Sequence, residues 1–216
     1  MIFATSLPHL PIMKKFLLLF TLLTTAVQAA PVPLFDGKTF EGWEGETTKT
    51  WRIENGEFVG GSLAEKIPNN EFLATKKSYA NFDLRLKFKL STTPKSNAGV
   101  QIRSERITDP AHEMIGYQAD LGEKYYGALY DESRRKKILA APAPAVLEKV
   151  LKPGEWNEYR IRAEGRRIQL WINGTLTVDY TETDETIVQK GRIALQIHGG
   201  PPAEVRYKDV VIEELP

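Results

Sequence analysis

The chain contains no cysteine. That absence removes disulfides, thiolate nucleophiles and Cys-based zinc sites together. Excess charge is missing too: a formal net charge of +1 argues against nucleic acid as a partner, which needs a basic stripe. No apolar run reaches the roughly 20 residues of a membrane span; the longest is FLLLFTLLTTAV, beginning at Phe16. No long segment has helical periodicity, and the best helix candidate, Ala145 to Lys152, spans about two turns. There is no internal repeat and no sign of a second domain. At 216 residues the chain is long enough to bury a core without covalent staples.

What is present at the N-terminus is a targeting pattern. Met13-Lys14-Lys15 is a basic start, the apolar run follows, and Val27-Gln28-Ala29 supplies a cleavage site before Ala30. Residues 1–29 therefore read as a signal peptide, with Met13 as the candidate translation start and 30–216 as one mature domain. No cysteine follows the run, which excludes a lipoprotein. The expected location is periplasmic or extracellular, with no membrane span in the mature chain.

The remainder alternates apolar and polar residues as half-buried strands do. Phe82, Leu84, Leu86, Phe88 and Leu90 interleave with Asp83, Arg85, Lys87 and Lys89, whose face reads as solvated. Asn55-Gly56 and Asn173-Gly174 mark hairpin turns. Further strands are expected at Trp51–Ile53, Phe72–Thr75, Trp156–Ala163, Ile168–Ile172, around Leu176–Tyr180, at Gly191–Gly200 and at Glu204–Glu213, the last with a slip or bulge at Asp209. Leu34, Phe35, Phe40 and Trp43 read as a flap docking aromatics on the core. Ten or more short strands with hairpin turns predict an all-β, antiparallel two-sheet sandwich.

One stretch departs from ordinary solvent-facing composition. Gln101 and Arg103 share one face of a short run, Gln118 and Asp120 one face of the next, and Gln196 and His198 one face of a third. A long loop follows the second run, dense in Tyr125, Tyr126, Tyr130, Asp131, Glu132, Arg134 and Arg135. Faces rich in Gln, Arg, Asp and Tyr suggest a ligand surface. Asp120 and His198 are candidate proton-transfer groups, Glu132 an acid or cation ligand, and Arg103 a charge or hydroxyl clamp. Gln101, Gln118 and Gln196 suit hydroxyl groups; Tyr117, Tyr126 and Tyr130 suit stacking on a ring. Arg135 could fold over the site. A divalent cation on Asp120, Glu132 and His198 is left open, although no tight ligand spacing demands one and no cofactor is required. The bland alternatives are a turn cap for Asp120, a structural His198, a solvated run for Arg134 and Arg135, and packing roles for the four tryptophans. His112 and Glu113 fall in a loop that could approach the same face.

Six segments taken together, LFDGKTFEGW, GVQIRS, GYQADL, YGALYDESRR, WNEYRIRAEGRRIQLWINGTLTVDY and GRIALQIHGGPPAEVRYKDVVIEEL, resemble the 3-keto-disaccharide hydrolase family, in that order and over nearly all of the mature chain. The resemblance implies a concanavalin A-like jelly roll and cleavage of glycosides already oxidised to a ketone at C3. Such a ketone acidifies the C2 hydrogen, so elimination needs a base near C2, donors at the C3 oxygen and an acid for the leaving oxygen. A carbohydrate-binding module of the same fold is the competing expectation. A two-carboxylate glucanase ranks below both, because no Glu-x-Asp-x-x-Glu run is present.

Overall fold

The computed structural model describes residue 1 and residues 30–216; the signal-peptide reading of residues 1–29 lies outside them. The strands are β1 (Val32–Pro33), β2 (Trp43–Glu44), β3 (Trp51–Glu54), β4 (Glu57–Ser62), β5 (Glu71–Tyr79), β6 (Phe82–Leu90), β7 (Asn97–Arg106) and β8 (Met114–Gly122). They continue as β9 (Leu129–Glu132), β10 (Lys137–Ala140), β11 (Asn157–Glu164), β12 (Arg167–Ile172), β13 (Thr175–Thr181), β14 (Gly191–Ile197) and β15 (Ala203–Glu214). One short helix, α1 (Pro144–Val150), precedes β11. Proline at its start suits a helix N-terminus, where an N–H partner is lacking anyway.

The strands form two antiparallel sheets. The eight-stranded sheet runs β13-β12-β11-β6-β15-β4-β3, with β1 on β15; the seven-stranded sheet runs β10-β9-β8-β7-β14-β5-β2. The sheets face each other across one core, to which β6 contributes Phe82, Leu84, Leu86, Phe88 and Leu90 and the opposite sheet Val100, Ile102, Ala119, Leu195 and Ile197. The alternation therefore predicts the inward faces of these strands correctly. Asn55 and Gly56, at φ 50 and 78, and Asn173 and Gly174, at φ 48 and 80, form the two hairpin turns. Both residues of each turn need the left-handed region that Asn-Gly tolerates. The slip near Asp209 is present as a register shift between Lys208 and Val211, with Asp209 at φ 53. In the N-terminal flap, Phe35, Phe40 and Trp43 all pack on Phe58.

Two features differ from expectation. The stretch after Gly122 is a loop only in part, since β9 and β10 form a hairpin that extends the seven-stranded sheet. Asp83 is buried beneath Arg160 and Arg162 rather than solvated. Trp156 and Trp171 lie partly exposed under Lys208 and Arg160, while Trp43 and Trp51 are core residues.

Candidate active site

The outer face of the seven-stranded sheet, turned away from the main core, carries the candidate site. Strand register fixes its layout. Gln196 on β14 pairs with Gly99 on β7, and Gly99 pairs with Asp120 on β8. The next row is Ala194, Gln101, Gln118 and Tyr130, and Glu132 on β9 lies opposite Gly116. A period of two puts these side chains on one face. At its β5 end, Phe72, Ala74, Ala194 and Met114 form a small apolar cluster separate from the main core.

This face is sheltered. Gln101 and Gln196 are fully buried, and Asp120 keeps 3% of its surface. The amides are ordered by one another: Ser104 Oγ donates to Gln101 Oε1, and Gln101 Nε2 donates to Gln118 Oε1 at 3.0 Å. Gln118 stands two residues before Asp120 on the same face of β8 and favours its ionised form. Its amide lies directly over Gly99, where an added Cβ would come within 2.6–2.9 Å of the Gln118 side chain; glycine is the residue that leaves this room. From beneath, the buried Tyr207 hydroxyl on β15 reaches the carbonyl oxygens of Gly99 and Gln196, both at 3.0 Å.

Burial dominates the electrostatics. It pushes the Asp120 carboxyl up to about 8, against the Leu121 N–H hydrogen bond and the Gln118 side chain, with a smaller push from the Glu132 charge. Burial raises Glu132 to about 7, and the Glu113 charge adds to it. Asp120 and Glu132 stand opposite residues 99 and 116 respectively, so four residues of β8 separate their rows. The face thus holds two raised carboxyls spaced along a strand rather than one hydrogen-bonded pair.

Asn70 links the rims. It donates to Glu113 Oε1 at 2.9 Å and accepts from the Gly199 N–H at 2.9 Å, tying the loop before β8 to the loop after β14. Several buried polar atoms on and beside this face have no protein partner: both amide atoms of Gln196, Asn97 Oδ1 and Glu113 Oε2. Buried polar groups are normally satisfied, so a cluster of unsatisfied ones points to a polar ligand or water.

Comparison with known proteins matches residues 30–213 to the 3-keto-alpha-glucoside-1,2-lyase-like domain. The chain belongs to this family. A 3-keto-disaccharide hydrolase of Bacteroides thetaiotaomicron is 25% identical over 158 residues, 60% of this chain and 51% of that protein; the chain thus spans about half the length of that relative. A crystal structure from Parabacteroides distasonis, provisionally described as a glycosyl hydrolase, superposes with a TM-score of 0.64 at 21% identity, covering 86% of this chain and 94% of that one. Carbohydrate-binding module CBM66 of Bacillus subtilis superposes with a TM-score of 0.62 at 16% identity, covering 80% and 96%. These likenesses establish a shared jelly-roll sandwich.

Within this member of the 3-keto-alpha-glucoside-1,2-lyase-like family, the expected site residues divide. Asp120, Glu132, Gln101, Gln118, Gln196 and Tyr130 share the outer face. His198 lies beyond Gln196 on the same face, exposed at the strand end, with its N–H on the Asn97 carbonyl and Nδ1 against the Gly199 carbonyl. Four residues do not join them. Arg103 sits at a β-bulge with φ 49, where β7 slips against β8. Its guanidinium is consumed by the carbonyls of Ala80 and Gly165 and by Gln189 and Asn81. Tyr117 points into the core and donates to Glu182 at 2.7 Å. Tyr126 stacks on Phe88 of the opposite sheet. Arg135 is locked to Asp131 and Glu182; against the burial that would raise it, these bonds hold Glu182 down to about 2. Nor do Asp120, Glu132 and His198 assemble a cation site: among the described residues no three His, Asp or Glu side chains are grouped to hold a metal ion. Asn70 is an addition that strand alternation does not signal, because hydrogen bonds to the distant Glu113 and Gly199 bring it there.

Proposed function

We propose that the chain cleaves the glycosidic bond of a 3-keto-glycoside at this face, by elimination. The observation that carries the reading is two raised carboxyls on one face, the buried Asp120 and the half-buried Glu132, beside buried glutamine amides of which Gln196 has no protein partner. Asp120 removes the proton from C2. The C2–H electrons form the C2–C3 double bond of an enolate with the charge on the C3 oxygen. As the ketone re-forms, those electrons shift to C1–C2 and the C1–O bond breaks. The leaving oxygen takes a proton from Glu132. Addition of water at C1, with return of a proton to C2, gives the free 3-keto sugar. Because Asp120 is raised above Glu132, the reactive state, with Asp120 ionised and Glu132 protonated, is a minority one that peaks between the two values, close to the working pH. The scheme uses no metal, so activity is expected to survive EDTA. Export to the periplasm or beyond, as the N-terminal pattern suggests, fits a polysaccharide-derived substrate.

Family membership and the likeness to a protein named as a 3-keto-disaccharide hydrolase support this reading. The fold shared with CBM66 favours a second one, a non-catalytic carbohydrate-binding module. Incubation with a 3-keto-disaccharide and with its unoxidised parent separates them. The enzyme reading expects cleavage of the oxidised sugar alone; binding of either sugar without cleavage would leave the module.

A further inference from the structure

With Arg103 turned away, the proposed reaction lacks a donor for the charge that develops on the C3 oxygen. We infer that Gln196 is that donor: its Nε2 hydrogen-bonds the C3 oxygen as ketone and enolate, while its Oε1 accepts from a hydroxyl on a neighbouring ring carbon. This role rests on the elimination proposed above.

Three observations converge on Gln196. It is fully buried, and neither amide atom has a protein partner. The other two glutamines of the face are engaged, Gln101 by Ser104 and Gln118, and Gln118 by Gln101. A buried amide without partners is costly, on the order of 1–3 kcal/mol per group, and a ligand that fills both edges removes the deficit. The second observation is position. Gln196, Gly99 and Asp120 form one row across three strands. At about 4.8 Å per strand, roughly 10 Å separates the backbones of Gln196 and Asp120. The floor between them is Gly99 overlain by the Gln118 amide. A base and a donor thus stand in one row of the same face, two strands apart. Third, the main chain of Gln196 is fixed by Tyr207 at 3.0 Å, so the amide is presented from a rigid base.

The chemistry matches the residue type. A carboxamide offers one donor and one acceptor edge, complementary to an α-hydroxy ketone. The ketone accepts from Nε2, and the adjacent hydroxyl donates to Oε1. The N–H bond strengthens as the oxygen becomes an enolate, which lowers the barrier more than it tightens substrate binding.

Gln196→Met keeps length and removes both polar edges; Gln196→Glu keeps shape and puts a negative group where the enolate forms. On a 3-keto-disaccharide, kcat is expected to fall by about 10²-fold or more for Gln196→Met, with the larger loss in Gln196→Glu and KM changed far less. Exchange of the C2 proton in D2O, followed by NMR, should slow in parallel, a readout that looser packing alone would not move. An active wild type with Gln196→Met within threefold of its kcat, or with unchanged exchange, overturns this role alone. A wild type inert toward the 3-keto sugar overturns both the reaction and the role. Should these variants not fold, Gln196→Asn, which keeps both polar edges and draws them back from the substrate, takes their place: a fall in kcat and in C2-proton exchange is expected, and unchanged values of both overturn the inference.

Discussion

Replacing Asp120 by Asn tests the electrostatics of the candidate face independently of any substrate. Burial raises this carboxyl from 3.8 to about 8. Between those values the folded protein binds a proton that the unfolded chain has released. Its contribution to stability is therefore complete below about pH 4 and is lost as pH rises through about 8. At about 1.4 kcal/mol per tenfold in proton affinity, the rise amounts to about 5–6 kcal/mol as an upper bound. The effective dielectric around even a buried carboxyl takes part of it away, so a loss of at least about 2 kcal/mol is expected. Asn keeps the shape and does not titrate. Thermal melts of both proteins from pH 5 to 8.5 should show Asp120→Asn gaining on wild type by roughly 4–8 °C, at about 2–4 °C per kcal/mol for a domain of this size. Glu132 titrates in both, so the difference isolates residue 120. A gap that stays constant across that range would refute the argument that burial controls this group.

Three further outcomes follow from the same geometry. The pH profile of kcat/KM should be a bell centred near 7.5, between the values of about 7 for Glu132 and about 8 for Asp120, and a plateau down to pH 5 would count against carboxyl chemistry. Gly99→Ala brings a methyl group against the Gln118 amide and should lower kcat at least about tenfold with a small change in melting temperature; an unchanged rate would show that the amide need not lie there. Arg135→Ala leaves the buried Glu182 carboxylate without its main partner and should cost about 3–5 kcal/mol, measured by urea unfolding; a loss under about 1 kcal/mol would show the network to be dispensable.

The sandwich was legible because apolar alternation reports directly which side of a strand is buried. The same period placed Gln101, Gln118, Asp120 and Gln196 on one face. It failed at Arg103, where the bulge breaks the alternation that had paired it with Gln101. Tyr117 lies on the apolar side of its own strand, so the alternation already argued against a sugar-facing role. Tyr126 and Arg135 sit in turns, where side-chain direction has no period to read, and their positions depend on Phe88 and Glu182, far away in sequence. Asn70 carries no local signal either: its role exists only once Glu113 and Gly199 are brought to either side of it.

The Tyr207 hydroxyl belongs to the sheet that no sugar on the candidate face can touch, yet it grips the main chain under both the glycine and the amide of the opposite layer. Removing that one oxygen, as in Tyr207→Phe, would change nothing on the surface a sugar meets. It would nonetheless slacken two neighbouring strands at the point where reacting atoms must be aligned. Sensitivity of turnover to substitution is therefore expected to extend through the full thickness of the protein.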